Sequence, residues 1–327
     1  MPAHAAPETN PVTSWVADAV MAPSMHNAQP WTFRYRPADG VLLLSADPAR
    51  ALPHSDPSGR GTHLGCGAAL FTLRVAAAHA GWEASARLLP DATAPGTLAA
   101  VTFTRSGAAG DGTAELYPGI ARRRTSRQPF RDEAVPAPVL EGLRAAARRE
   151  GARLDVADQQ RLNDLAELQW DAEHAERDAP RLRAELARWT AGQEQEATEG
   201  IPAGALGPRA RDGRSAVRDF APGGDDGVRE TAVFERTPCL AVLGTREDTP
   251  ADWLRAGQAL QRVLLRATLD GLSTSLNSQA LEWPELRWMA RDPRSPAGYP
   301  QILLRLGYGP QSPATPRRPV SEVLDIV

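Results

Sequence analysis

Two stretches of the chain share one pattern of apolar and polar positions. LGCGAALFTLRVAAAHAGWEA begins at Leu64, and LRAGQALQRVLLRATLDGLST begins at Leu254. In the second stretch apolar residues recur every three or four positions with polar residues opposite them, which is typical of an amphipathic helix. The first is apolar almost all round, so we expect it to be buried on every side. Each stretch ends at a glycine followed by an extended segment, the usual end of a helix.

The two stretches also match position by position, which indicates an internal repeat. Gly67 corresponds to Gly257, and Gly81 to Gly271, both at an offset of 190 residues. Strand-like runs flank each helix, at 41–48 and 99–105 around the first and at 238–248 and 301–309 around the second. Chance similarity is the alternative. We predict an α+β protein whose two related halves pack in pseudo-two-fold fashion, with small residues letting the repeat helices approach closely.

The chain between the repeat helices carries further helices and one irregular stretch. Residues 116–151 indicate a basic loop followed by a helix, and residues 158–189 a second helical stretch with many charges. Residues 190–227 are polar and rich in Gly and Pro, as in a disordered linker. Because long irregular segments of compact domains are often lids, we favour a lid. Five apolar residues could dock it: Ile201, Pro202, Leu206, Val217 and Phe220.

Composition and charge exclude several classes of function. The 327 residues are 42% hydrophobic and 24% charged, as in an ordinary globular protein, and the length suggests two domains. A net charge of −3 gives no general attraction to nucleic acid or to an anionic membrane. The chain has no lysine, which excludes a lysine nucleophile. Because there are only two cysteines, no signal-peptide pattern and no long apolar run, we expect a cytoplasmic protein.

A short polar loop separates the first helical run from the first strand. In APSMHNAQPW, residues 22–31, two prolines mark breaks in regular structure and frame Ser24, His26, Asn27 and Gln29. An ordinary turn explains these residues if the rest of the chain offers the loop no partner.

Three later stretches could be that partner. RRRTSR, residues 122–127, places four arginines and two hydroxyls within six positions, which suits a phosphate that accepts charge-assisted hydrogen bonds. A solvated basic loop is the simpler interpretation. DGLSTSLNSQ (270–279) follows the second repeat helix, and TPRRPV (315–320) adds two arginines after the last strand.

Together these stretches resemble the FMN-dependent nitroreductase superfamily. APSMHNAQPW is similar to its PSxxNxQPW signature, and RRRTSRQPFRDEAVPAPVLEGL is similar to the usual beginning of its members. In ordinary nitroreductases the arginine-rich beginning precedes PSxxNxQPW, whereas here it follows that signature. This order, together with DPSGRGTHLGCGAAL and the late RRP, resembles the actinobacterial Acg-type nitroreductases over nearly the whole chain.

The resemblance implies a nitroreductase-like three-layer α/β/α fold in which one chain mimics a homodimer. Ordinary members hold FMN at the subunit interface, between the arginine-rich loop of one subunit and PSxxNxQPW of the other. Here residues 1–117 would be the half with the PSxxNxQPW loop, and residues 118–327 the half with the arginine-rich loop. The two composite sites of a dimer would thus become one FMN site, and a monomer would suffice.

The resemblance also implies which residues bind FMN. The flavin and its ribityl chain would contact the first loop, at Pro23, Ser24, Met25, Asn27 and Gln29. The phosphate and ribityl groups would contact Arg123, Arg124, Thr125 and Arg127, with Arg317 and Arg318 completing the phosphate pocket. Near the reactive edge of the isoalloxazine, where a backbone N–H can stabilise charge, would lie Gly271, Leu272 and Ser273.

The resemblance leaves two functions open. One is an oxidoreductase that passes hydride from NAD(P)H through FMN to a nitroaromatic, a quinone or another small electrophile, with no catalytic side chain identified. The other is a flavin-holding protein without activity, in which residues 190–227 cover the ring.

Other classes fit the residues less well. GCGAAL lacks the third glycine of a dinucleotide-binding loop, and the chain has no GxSxG motif of a serine hydrolase. Its six histidines show no metal-ligand spacing, so we expect no metal. Cys66 lies in the apolar repeat helix and is expected in the core. We expect no nucleic-acid partner because the arginine run has no interleaved aromatic residues.

Overall fold

Two β-sheets with helices packed between them form the fold, seen here in a computed structural model. The structure describes residues 7–106, 111–190, 197–211, 218–220, 230–292, 295 and 298–327. Its helices are α1 (Thr9–Ala19), α2 (Arg60–His79), α3 (Tyr117–Arg122), α4 (Ala137–Arg149), α5 (Gln159–Arg177), α6 (Pro180–Thr190), α7 (Pro250–Leu269), α8 (Pro284–Met289) and α9 (Val320–Val323). Its strands are β1 (Trp31–Arg36), β2 (Val41–Ala46), β3 (Trp82–Leu88), β4 (Thr97–Arg105), β5 (Arg153–Val156), β6 (Arg209–Ala210), β7 (Thr231–Ala232), β8 (Cys239–Thr245), β9 (Ser273–Asn277), β10 (Tyr299–Gly307) and β11 (Leu324–Ile326).

The two large sheets have the same internal order of strands. The first has the order β11-β1-β2-β4-β3 and the second the order β5-β8-β10-β9. Neighbouring strands are antiparallel, except that β11 is parallel to β1. Leaving β11 aside, the chain adds its strands to the two sheets in the same sequence, with α2 and α7 in equivalent places. This matched order is what the predicted internal repeat requires.

The repeat helices α2 and α7 cross at their glycines. Each helix has 20 residues, and their first residues are separated by the offset read from the sequence. A Cβ atom on Gly67 would lie 2.3 Å from the carbonyl oxygen of Leu254, and one on Gly257 would lie 2.2 Å from that of Leu64. No side chain fits at those distances, so both glycines are needed for the close approach that the sequence predicts.

Each sheet has its own core beside this crossing. Apolar residues of α1 and α2 pack on the first sheet around Trp31, Phe33 and Tyr35. Residues of α4 and α7 pack on one face of the second sheet, while α5 and the chain near Leu281 cover its other face. The second half is therefore three-layered, and the predicted α+β class is confirmed. None of the helices in the described part of the chain has the length and apolarity to span a membrane.

The structure differs from the expected elements in two places. The helical stretch predicted over 158–189 is two helices, α5 and α6, because Pro180 disfavours helical geometry at Ala179. Strand β11 lies in the chain's second half by sequence, yet it pairs with β1 of the first sheet, with Phe33 opposite Leu324.

The expected lid is described only in part. Residues 197–211 and 218–220, here called the covering segment, include a short turn of helix at Ala203–Ala205 and strand β6. Residues 191–196, 212–217 and 221–227 of the predicted lid, with Val217 among them, lie outside the described residues.

Candidate functional site

A cavity between the two halves brings together most of the polar stretches singled out in the sequence. Its lining draws on the polar loop, the start of α2, the arginine run and the end of β9. The predicted site residues that line it are Pro23, Ser24, Met25, Asn27, Arg123, Arg124, Thr125, Arg127 and Arg317. The polar loop of the first half therefore does have a partner, which is the arginine run of the second.

The remaining predicted site residues lie outside the cavity lining. Gln29 is fully buried behind the loop, where its amide accepts from the backbone N–H of Arg318 at 2.8 Å and donates to the Thr198 carbonyl at 2.7 Å. Arg318 itself is ion-paired with Asp47 and Glu322, each at 3.3 Å. Both residues brace the wall of the cavity from behind.

The predicted flavin-edge residues also lie behind the lining. Gly271 forms the turn after α7 with a φ of 79°, and Leu272 belongs to the core of the second half. Ser273 donates from its hydroxyl to the Gly309 carbonyl at 3.0 Å. Leu276 and Asn277 of β9 and Ser278 directly after it line the cavity instead.

The loop of residues 22–31 is held in an unusual backbone conformation. His26, Asn27 and Gln29 have φ angles of 50°, 56° and 54°, in the left-handed region that disfavours residues other than glycine. The start of α2 makes room for this loop, because a Cβ atom on Gly61 would lie 2.8 Å from Cε of Met25. Such strain persists only where the surroundings enforce it, and it is common at functional sites.

The cavity contains a cluster of arginines without a counter-charge. Arg123, Arg124 and Arg317 form no ion pair with any carboxylate in the described residues. Their hydrogen bonds go to carbonyl oxygens, such as those of Met21 and Ala22, and to the hydroxyl of Thr315.

The electrostatics of this cluster favour the binding of an anion. Burial, followed by the charges of Arg317 and Arg124, lowers the pKa of Arg123 to about 9. Burial and the charge of Arg124 lower the pKa of Arg317 to about 10. Nε and Nη1 of Arg123 and Nε of Arg317 are buried and have no hydrogen-bond partner among the residues that the structure describes. Buried donors and charges of this kind require an acceptor with negative charge.

Arg127 lies in a different part of the cavity. Burial and the charge of Arg218 lower its pKa to about 10. Its Nη1 donates to the Ala205 carbonyl at 2.9 Å, and its guanidinium carbon lies 4.8 Å from the centre of the Phe220 ring. Arg127 therefore faces the covering segment rather than the Arg123 cluster.

The covering segment bridges the two loops. Asn27 donates through Nδ2 to the carbonyls of Gly200 at 3.0 Å and Pro316 at 3.1 Å. At the other loop, a Cβ atom on Gly207 would lie 2.4 Å from the carbonyl oxygen of Arg127. A small apolar cluster holds the segment together: Ile201, Ala205, Leu206 and Phe220. The described part of the segment therefore contacts both loops, and its role as a lid stays a prediction.

With this geometry in view, comparison with known proteins identifies the family. The chain is 34% identical over 323 residues to a protein of Mycobacterium tuberculosis named "Putative NAD(P)H nitroreductase acg", covering 97% of this chain and 96% of that protein. The chain belongs to the Acg-type nitroreductase family. The resemblance seen in the sequence motifs is thereby confirmed.

A second relative agrees with this membership. "Putative NAD(P)H nitroreductase Rv3131" of Mycobacterium tuberculosis is 33% identical to the Acg-type chain over 325 residues, which is 98% of this chain and 92% of that protein. Among solved structures, a nitroreductase-like protein from Bacillus cereus superposes with a TM-score of 0.40 at 18% identity, over 65% of this chain and 95% of that one. No model of a known protein family matches the chain.

In the structure of this Acg-type chain, three charged or titratable residues of the cavity lining are not among the predicted site residues. Arg60 is buried at the start of α2 and donates to the carbonyls of Leu281 and Gln301. Arg218 is buried between two carboxylates, and His26 belongs to the loop itself. The motif DPSGRG contains Arg60, so a signal existed for it, whereas nothing in the sequence distinguishes Arg218 from the other arginines of its polar stretch.

Two further sequence expectations concern cysteine and metal. Cys66 is buried, its thiol donates to the Pro30 carbonyl at 3.3 Å, and burial raises its pKa. It is a core residue, as predicted. Across the described ranges, no three His, Cys, Asp or Glu side chains cluster in a way that could hold a metal ion.

Proposed function

We propose that this chain binds one FMN in the cavity and acts as an oxidoreductase, using NAD(P)H to reduce a nitroaromatic, a quinone or another small electrophile. The observation that carries the proposal is the arginine cluster of the cavity, around the buried Arg123, whose members pair with no carboxylate of the described residues. The proposal also draws on the names of the curated relatives, which are NAD(P)H nitroreductases.

The donor set fits the two ends of FMN. Arg123, Arg124 and Arg317 would bind the phosphate, since guanidinium groups pair with phosphate through forked, charge-assisted hydrogen bonds. Pro23, Ser24, Met25 and Asn27 would lie against the ribityl chain and the ring, and apolar Leu276 and Ile302 also line the cavity. Bound FMN would supply the electron-transfer chemistry, and the protein would supply binding, orientation and exclusion of water.

The strand order of the two sheets supports a composite site. Each half has the same order of strands, but only the first carries the polar loop and only the second carries the arginine run. We therefore propose that residues 1–117 and 118–327 are related halves that mimic a dimer and share one site.

The arginine cluster can be tested by removing two of its members. The affinity for FMN should fall at least about 100-fold in the double variant Arg123→Ala/Arg317→Ala, because each charge-assisted hydrogen bond contributes about 1.5–3 kcal/mol. Flavin content is measured from the visible absorption spectrum after gel filtration. The matched control is Arg122→Ala, which removes an exposed neighbour of Arg123 that does not line the cavity.

Two outcomes would refute the site. The double variant could retain a full complement of flavin, or wild-type protein could be colourless and take up no added FMN.

A second candidate function rests on the covering segment. Because residues 197–211 contact both loops and Phe220 lies against Arg127, a flavin held beneath them would be shielded from nicotinamide. The protein would then hold flavin without turning it over.

A variant with a loosened covering segment distinguishes the reductase from the flavin-holding protein. Gly207 has a φ of 73° and no room for a Cβ atom beside Arg127, so Gly207→Ala should detach the segment, whereas Gly204→Ala meets open space and serves as the control. Anaerobic absorbance is recorded after NADPH is added. If the protein is a reductase, the flavin absorbance of the wild type is bleached by NADPH. A shielded flavin stays yellow in the wild type and in Gly204→Ala and bleaches faster in Gly207→Ala.

A further inference from the structure

His26 has a buried nitrogen with nothing to bind. Its side chain is 5% exposed and lines the cavity, and Nε2 has no hydrogen-bond partner in the described part of the structure. The neighbouring Asn27 and Gln29 use their amides to hold the carbonyls of Gly200 and Thr198. His26 makes no such structural contact through Nε2.

The backbone gives no structural reason for a histidine here. A φ of 50° disfavours histidine far more than glycine, and a buried polar atom without a partner is uncommon in folded proteins. Both features are accounted for if the imidazole serves a ligand.

His26 lies apart from the arginines expected to hold phosphate. The charges that act on His26 come from Arg218 and Arg127, whereas those that act on Arg123 come from Arg317 and Arg124. The ring of His26 meets the edge of Phe220, with centroids 5.8 Å apart. The ligand that His26 serves is therefore at the aromatic end of the cavity.

The charge state of His26 restricts what it can bind. Burial first, and then the charges of Arg218 and Arg127, lower the pKa of His26 well below 6.5, so the imidazole is neutral at neutral pH. Arg127, whose charge acts on His26, is a donor only. A ligand group that satisfies both residues must therefore be a hydrogen-bond acceptor.

We propose that His26 binds the second ligand of the cavity, the small aromatic molecule that exchanges electrons with the cofactor, by donating from Nε2 to a carbonyl, carboxylate or nitro oxygen. This inference rests on the proposed function and deepens it, since it assigns substrate selection to one residue of this chain. Phe220 lines the cavity beside His26 and makes this end of it aromatic.

Two variants of His26 test the assignment. His26→Gln keeps a donor, and His26→Leu removes it at similar volume. Flavin content after gel filtration is measured first, and we expect both variants to retain FMN like the wild type, because His26 is apart from the phosphate cluster. If His26→Leu does not fold, His26→Met replaces it.

The second readout uses benzamide, benzoate and toluene as probes. Each is titrated into the FMN-loaded protein, and binding is followed by the change in the visible flavin spectrum. In the wild type and His26→Gln, benzamide or benzoate should bind at least 10-fold more tightly than toluene, and in His26→Leu this preference should disappear. In steady-state assays, His26→Leu should raise the KM for the electrophile, whereas His26→Gln should leave it close to that of the wild type.

Different results overturn different claims. A preference that survives in His26→Leu, or no probe binding to the wild type at all, refutes the role of His26 while leaving FMN binding intact. Loss of FMN in His26→Leu but not in His26→Gln means that His26 binds the cofactor instead. A wild-type protein that binds no FMN refutes the proposed function and, with it, this inference.

Discussion

At the scale of single residues, His26 makes stability depend on pH. Its pKa is lowered in the folded state but is close to 6.5 when the chain unfolds. Below pH 6.5 the unfolded chain therefore binds a proton that the folded one does not, and the free energy of unfolding decreases as pH falls, by up to about 1.4 kcal/mol per pH unit. Urea denaturation at pH 5.5 and 7.5 measures this difference, which should be smaller in His26→Gln. Equal pH dependence in the two proteins would contradict the burial described here.

Single residues also show how far the sequence could predict the site. The run of residues 122–127 indicated an anion site, but consecutive arginines look alike in sequence. The backbone exposes Arg122, buries Arg123 and turns Arg127 towards Ala205. The orientations of these side chains depend on how the loop leaves α3 and on the β-bridge between Thr125 and Thr274, two residues that are far apart in the chain. Residue type was therefore predictable, whereas orientation was not.

At the scale of elements, the crossing of α2 and α7 is the most sensitive contact. Gly67→Ala should reduce the free energy of unfolding by about 1–3 kcal/mol or more, because the new Cβ atom meets a backbone carbonyl that cannot rotate away. The matched control is Gly142→Ala in α4, where a Cβ atom meets nothing. That change should stabilise the protein by about 0.5–1 kcal/mol, since glycine is a poor helix former. Chemical denaturation of both variants measures the effects, and a neutral Gly67→Ala would rule out the tight crossing.

The elements themselves were largely predictable because their signals are local. The period of apolar residues and the terminal glycines marked both repeat helices, and the flanking strands lie where the apolar runs placed them. The apolar residues of the covering segment indicated that it could dock, but not where on the protein it docks. Its position depends on single contacts, such as Asn27 with Gly200, between residues far apart in sequence.

At the scale of the whole molecule, a composite site fixes the number of cofactors. Because the polar loop occurs only in the first half and the arginine run only in the second, we expect one FMN per chain. Flavin released by heating is compared with protein measured by amino-acid analysis. A ratio of two would show that each half has its own site, and Arg123→Ala/Arg317→Ala should give a ratio close to zero.

The pairing of β11 with β1 determines the order in which the molecule can be completed. During synthesis β1 is made before every other strand described here, and its parallel neighbour, residues 324–326, is made after all of them. The nascent first half therefore has an open strand edge at β1, the kind of edge that pairs with other chains. The contact spans almost the whole chain, so closing it is slow by comparison with local structure. The sheet whose strands are made first is thus the one that is completed last. Nascent chains on neighbouring ribosomes of one messenger RNA lie close together, and this is the stage at which the protein is most exposed to aggregation.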